Sequence, residues 1–270
     1  MTTKNGISSL IDDVVRGGTL RTDTSRLVGA HPGGDLGGDL GTVVVAGAAG
    51  ADVESIAATD VTLVTLLVDA SSSIHDAGLE QAVRDGQNEI LAAFERSRQK
   101  DELLVALWTF SDETNVVHSY VPVDEATRFD AGNYRAHGGT RLYDVWCDAL
   151  VANLAYAERL RQSGTPCRSI VVVVTDGDDC GSRRKVAACK AISEDLLASE
   201  RFVLAFVGVG DPKSFERVAR DMGVPSGSVA VLSKATPSAL RDMFRLVSRS
   251  LIRASQGAVV PGANAGFFRP

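Results

Sequence analysis

From residue 61 onward, strand-sized apolar runs alternate with stretches of helical periodicity, and this alternation constrains the fold more than any other feature of the chain. Residues 61–68 form an unbroken run of β-branched residues and leucine, the pattern of a strand buried on both faces. Residues 77–98 carry Leu79, Ala82, Val83, Ile90, Leu91 and Phe94 at helical spacing, which predicts a helix with one buried face. Strands are predicted over 103–110 and 115–121. Only residues 111–114 separate them, so they should form an antiparallel hairpin. The same reading gives helices over 141–162, 183–199, 212–222 and 237–254, and strands over 170–175, 202–209 and 228–232. Thr236 and Pro237 suit the cap and first position of the last helix. The order implies an α/β fold of three layers, a doubly wound, mainly parallel sheet with one antiparallel edge strand.

The flanks read differently. We expect a division into an extension over 1–60, a domain over 61–254 and a loosely held tail over 255–270. Ile7, Leu10, Ile11, Val14 and Val15 suggest a short amphipathic helix over 5–16. A doubled Gly-Gly-Asp-Leu at 33–40 reads as a linker or double turn. It lacks the Lys-Ser/Thr ending of a phosphate loop. Residues 42–46 resemble an edge strand, and much of 17–55 should be mobile or draped over the domain.

Composition narrows the function. The chain has 270 residues, is 44% hydrophobic and 23% charged, and carries a net charge of −6. An acidic balance gives no general attraction to nucleic acid. No run approaches the roughly 18 apolar residues that span a bilayer. The first ten residues lack the apolar core of a signal peptide, which leads us to expect a cytoplasmic protein with no membrane partner. The cysteines at 147, 167, 180 and 189 have no C-x-x-C spacing, so neither a zinc knuckle nor a thioredoxin-type site is indicated.

In doubly wound folds ligands bind at the carboxyl ends of the strands. Directly after the first strand stands Asp69-Ala70-Ser71-Ser72-Ser73. Alternate residues of an extended turn point the same way, so Asp69, Ser71 and Ser73 can converge. The strand over 170–175 ends in Asp176-Gly177-Asp178-Asp179, and Gly138-Gly139-Thr140 brings one more hydroxyl. Carboxylates and hydroxyls are hard donors, suited to Mg²⁺, Mn²⁺ or Ca²⁺. The alternative for the first motif is a strand-to-helix turn in which Ser73 caps the next helix. Asp178 and Asp179 read as solvated loop acids, His137 as a loop histidine without a metal role, and Asp112 as a turn residue.

These three motifs, with Phe110-Ser111-Asp112 at the end of the second strand, resemble the metal-ion-dependent adhesion site of von Willebrand factor A domains over residues 60–254. The resemblance implies a metal held by Asp69, Ser71, Ser73, Thr140 and Asp176. It implies that Ser71, Ser73 and Thr140 touch the cation and that the two aspartates act largely through water. It further implies a non-enzymatic module that binds a protein partner through that partner's Asp or Glu. In intracellular relatives such modules serve AAA+ ATPases or other multi-protein assemblies.

Two other classes fit the sequence less well. A metal-dependent phosphatase or hydrolase would need a second Asp where Ser71 stands, or a Gly-x-Ser-x-Gly elbow, and the chain has neither. An extracellular adhesin would fit a secreted chain with paired cysteines better than this one.

Overall fold

The continuous apolar runs become strands with both faces covered. The computed structural model describes residues 17–24, 39–264 and 266–269. The helix expected over 5–16 and the first Gly-Gly-Asp-Leu lie outside the described residues. The strands are β1 Val61–Asp69, β2 Leu103–Phe110, β3 Thr114–Pro122, β4 Cys167–Thr175, β5 Phe202–Val209 and β6 Val229–Leu232. They form one sheet in the order β3-β2-β1-β4-β5-β6. Every pairing is parallel except β2 with β3, where Val105 faces Val121 and Phe110 faces Thr114. This is the expected doubly wound α/β sheet with its one antiparallel edge.

The helices are α1 Asp39–Gly47, α2 Ser72–Asp76, α3 Glu80–Glu95, α4 Leu142–Gln162, α5 Val186–Ala198, α6 Pro212–Asp221 and α7 Pro237–Ser255. Side chains alternate across β1 with period two. Leu63 and Leu67 enter a core shared with α1, α4, α5 and α6, while Val64, Leu66 and Val68 enter a second core shared with α3 and α7. Both faces are therefore dry, which is why the run has no polar alternation. Within the second core α3 and α7 pack closely at Gly86. A Cβ there would lie 2.1 Å from Cδ2 of Phe244, so any larger residue would force the helices apart. Overpacking of this kind costs about 1–3 kcal/mol.

Three local expectations are corrected. Residues 42–46 are not a strand but part of α1. β-Branched Val43, Val44 and Val45 favour a strand intrinsically, yet Val44, Gly47 and Ala48 lie on one side of the helix and are buried. Gly47 lies against Trp108, whose Cζ2 would be 2.0 Å from an added Cβ. Tertiary packing here overrides propensity. Second, the helix expected over 77–98 is preceded by a separate short helix, because Gly78 at φ 64° breaks α2 from α3. Third, the tail expected to be loose is packed where it is described. Phe267 is 0% exposed and Val259 is buried. Gly262 N–H donates to the Phe202 carbonyl at 2.9 Å.

The topology places one crevice. β1 and β4 are neighbours at the centre of the sheet. The chain leaves β1 through α2 and α3 and leaves β4 through α5, helices that belong to opposite faces. The loops after Asp69 and Thr175 thus diverge and leave a cleft between them.

Candidate metal centre

The register of the two central strands sets the first contact. Val68 pairs with Val174, so Asp69 stands beside Thr175 at the sheet edge. Thr175 Oγ1 donates to Asp69 Oδ2 at 2.5 Å, and the Ser71 N–H donates to Asp69 Oδ1 at 2.8 Å. Both oxygens of a carboxylate that is 1% exposed are thereby held. Tyr134 adds a hydroxyl that donates to the Asp69 carbonyl at 2.5 Å.

The loop after β1 then turns outward. Ser71 is the residue before α2, and its side chain makes no capping hydrogen bond. Its Oγ lies 3.0 Å from Ser73 Oγ, and Ser73 Oγ donates to Asp176 Oδ1 at 2.7 Å. Ser73 therefore reaches across to the β4 loop rather than capping a helix. Burial increases inward, with Asp69 and Ser71 each 1% exposed while Ser73 is exposed and Asp176 half-buried. The cleft opens to solvent on the Ser73–Asp176 side.

Thr140 arrives from the third loop. Backbone bonds stitch that loop to the first: His137 N–H donates to Ala70 O at 2.7 Å and Ser72 N–H to Gly138 O at 2.9 Å. Gly138 has φ 78°, a conformation that favours glycine. Cys180 N–H donates to Thr140 O at 2.6 Å and ties the same loop to the one after β4. The Thr140 hydroxyl lies over Gly177, where an added Cβ would be 2.9 Å from Oγ1. A side chain at 177 would push Thr140 away, which gives Gly177 its role. All five residues singled out in the sequence thus lie at the carboxyl ends of β1 and β4, at the start of α2 and in the loop before α4, on adjoining segments.

Burial dominates the electrostatics of the two carboxylates. Burial pushes the Asp69 carboxyl up to about 6, further than its hydrogen bonds to Ser71 and Thr175 bring it down, and the charge of Asp176 adds to the rise. Asp176 is also raised, mainly by burial, against the Ser73 hydrogen bond. Two desolvated carboxylates with three hydroxyls make a hard, all-oxygen set. Among the described residues no group of three or more His, Cys, Asp or Glu side chains clusters as a metal site would. A cation here would therefore depend on serine and threonine hydroxyls for much of its shell, and one exposed flank would remain for an outside donor.

The structure also assigns a role that sequence reasoning missed. Asp179, expected to be a solvated acid, accepts the Tyr143 N–H at 3.1 Å and the Ser182 hydroxyl at 2.5 Å. In return Asp144 of α4 accepts the Arg183 and Arg184 N–H groups at 3.0 and 2.9 Å. This reciprocal clasp joins the start of α4, just past Thr140, to the loop that carries Asp176. Beneath it, Arg184 Nη1 lies 2.5 Å from Asp148 Oδ1, though it donates to the Asp144 carbonyl instead. Asp148 is left facing a cation without an aligned N–H. The chain signal for the clasp was Asp144 one turn before Asp148, but nothing local showed what they faced.

No family model and no curated protein matches this sequence. Among solved structures, the chain is similar to a pilus adhesin, SpaC from Lactobacillus rhamnosus GG, with TM-score 0.56 at 14% identity, covering 73% of this chain and 31% of that one. It is also similar to the PilB minor pilin from Streptococcus sanguinis, with TM-score 0.54 at 13% identity, covering 76% of this chain and 64% of that one. A protein described as von Willebrand factor type A from Catenulispora acidiphila matches with TM-score 0.49 at 18% identity, over 72% of this chain and 43% of that one. The chain spans less than two thirds of each of these proteins. At such identities the likeness is one of fold: the chain shares its α/β sheet architecture with the pilus adhesin and the minor pilin. Among the described residues no helix is long and apolar enough to cross a membrane.

Proposed function

We propose that this chain is a non-enzymatic, divalent-cation-dependent protein-binding module. Asp69, Ser71, Ser73, Thr140 and Asp176 would hold one Mg²⁺, or Mn²⁺ or Ca²⁺, and a partner's Asp or Glu would complete the site. The observation that carries the reading is the meeting of these segments, with Ser73 Oγ 2.7 Å from Asp176 Oδ1 and the Thr140 hydroxyl over Gly177. The donor chemistry supports it independently: hydroxyls are neutral, and two carboxylates acting largely through water would screen a dication only in part, leaving it electrophilic. When bound, the cation supplies an electrophile for the incoming carboxylate.

The chain's own residues do the rest. Asp69 is fixed by Ser71 and Thr175 so that its charge faces the cleft without further ordering. Tyr134 and the 137–140 loop wall off the inner side. Ser73 and Asp176 form the open flank where a partner would enter.

We place the protein in the cytoplasm, as part of a larger assembly such as one built around an AAA+ ATPase. All four cysteines are free thiols, including exposed Cys180, which suits a reducing compartment. The test is capture of partners from lysate with Mg²⁺ or with EDTA, alongside Mn²⁺ titration of the purified chain. A partner retained only with Mg²⁺ and lost by Asp69→Ala supports the reading. Partner binding that ignores both EDTA and Asp69→Ala overturns it.

A further inference from the structure

Two buried peptide groups set where Asp69 and Ser71 point, and one segment grips both. Tyr134 donates its hydroxyl to the Asp69 carbonyl at 2.5 Å, and the His137 N–H donates to the Ala70 carbonyl at 2.7 Å. The peptide between Ala70 and Ser71 is thereby held at both ends, because its N–H donates to Asp69 Oδ1 at 2.8 Å. Rotation of that plane would break both bonds and release the carboxylate. The segment 134–137 is itself anchored on α3. Arg84 donates through Nε and Nη2 to the Tyr134 carbonyl at 3.2 and 2.9 Å, and Glu80 Oε1 accepts the Ala136 N–H at 2.8 Å. The buried Tyr134 ring lies against Phe129, with centroids 4.8 Å apart, so the phenol has little freedom to swing away. A line of contacts thus runs from α3 back to the end of β1, the strand that precedes it.

We infer that Tyr134 and Arg84 are positioning residues for the candidate centre: they lock the turn from Asp69 to Ser71 onto α3 and act on a cation only through those two side chains. The inference rests on the proposed metal-dependent reading and deepens it, naming residues beyond the five candidate donors that govern affinity. The physical reason is preorganisation. Asp69 and Ser71 must converge on one cation, and a turn held in advance loses less freedom on binding. Tyr134 does this directly, through the Asp69 carbonyl. Arg84 does it one step further out, by fixing the backbone that carries the phenol.

The test uses the full chain and two readouts: Mn²⁺ affinity, from electron paramagnetic resonance of the free ion, and hydrogen exchange of the Ser71 amide in EDTA. Tyr134→Phe keeps the ring and removes only the donor. It should weaken Mn²⁺ binding about tenfold and speed Ser71 exchange in the metal-free chain. Arg84→Met should move both readouts the same way to a smaller extent, and Arg84→Lys, which keeps a donor, should recover part of the change. Val203→Ala, at the amino end of β5 and away from the site, controls for plain loss of stability and should leave both readouts as in wild type. If Tyr134→Phe does not fold, the two Arg84 variants carry the test. Mn²⁺ affinity unchanged in Tyr134→Phe, or in Arg84→Met where that pair stands in, overturns this inference alone, and so does an equal loss in Val203→Ala. Absence of Mn²⁺ binding by the wild-type chain overturns the metal reading and this inference together.

Discussion

Ser73 and Asp176 stand 103 positions apart in the chain, yet the serine hydroxyl donates to the aspartate carboxylate at 2.7 Å. That contact spans the cleft between β1 and β4, and it converts two strand ends into one site.

Replacing Asp69 by Asn should separate stability from binding. Burial holds the Asp69 carboxyl at about 6, so at neutral pH its charge costs the metal-free fold. Asp69→Asn should raise stability in EDTA by on the order of 1–2 kcal/mol, less than the full shift because the amide satisfies only one of the two donors. The same variant should lose Mn²⁺ binding. Thermal melts in EDTA and Mn²⁺ titration check both halves, and a variant that binds Mn²⁺ as well as wild type removes Asp69 from the site.

Neutral donors should matter less than charged ones. Thr140→Ala should weaken Mn²⁺ binding about tenfold and Asp176→Ala about a hundredfold or more, since only the second removes a charge. Calorimetric titration gives the comparison directly. A larger loss at Thr140 would mean that its place over Gly177, rather than charge, governs the site.

The clasp at Asp179 should tune the centre from outside it. Asp179→Ala removes the acceptor for Tyr143 N–H and should cost about 1 kcal/mol of stability, as loss of a helix cap does. It should also lower Mn²⁺ affinity, because the Asp176 loop loses its tie to the start of α4. Asp179→Asn keeps an acceptor and should recover most of both effects. Urea unfolding and Mn²⁺ titration of the pair would show whether the clasp is coupled to the site.

Acid should stabilise the fold through Asp148. Burial raises its carboxyl from 3.8 to about 6, outweighing the nearby Arg184 charge. Between those values the folded state keeps a proton that the unfolded state has lost, so stability falls as pH rises from about 4 to about 6. The contribution is on the order of 3 kcal/mol. Glu80, whose carboxyl is lowered first by the Ala136 N–H, acts in the opposite direction, so the informative quantity is the wild-type slope minus that of Asp148→Asn. Urea midpoints across this range should show a flatter dependence in the variant. Equal slopes would mean that Asp148 stays ionised throughout.

Thiol labelling should report the packing. Cys180 is exposed, whereas Cys147, Cys167 and Cys189 are buried. Iodoacetamide should modify Cys180 in the native protein and the other three only after unfolding, as counted by mass spectrometry. Rapid native labelling at Cys147 or Cys189 would contradict the α4–α5 contact, where the two sulfurs lie 3.4 Å apart.

How legible each part was depended on the range of the forces involved. The strand pattern of β1 and the alternation that aims Asp69, Ser71 and Ser73 to one side are local, and the sequence sufficed for them. α1 was misread as a strand because Val43, Val44 and Val45 satisfy strand propensity, while the indole of Trp108 that claims Gly47 lies far along the chain. Asp179 was misjudged for the same reason, since the Tyr143 N–H it accepts belongs to another element. The burial of Phe267 also depends on a surface built by distant segments.

By itself the sequence determined the order and type of the central elements and the hard-oxygen character of the candidate ligands. Both follow from side-chain chemistry and from periodicities of a few residues. Only the tertiary structure decided that β1 lies beside β4, that Thr140 sits over Gly177, and that Arg141 is left with an unpaired nitrogen beside them. Those facts depend on strand register and on which distant groups compete for each donor, and no local pattern carries that information.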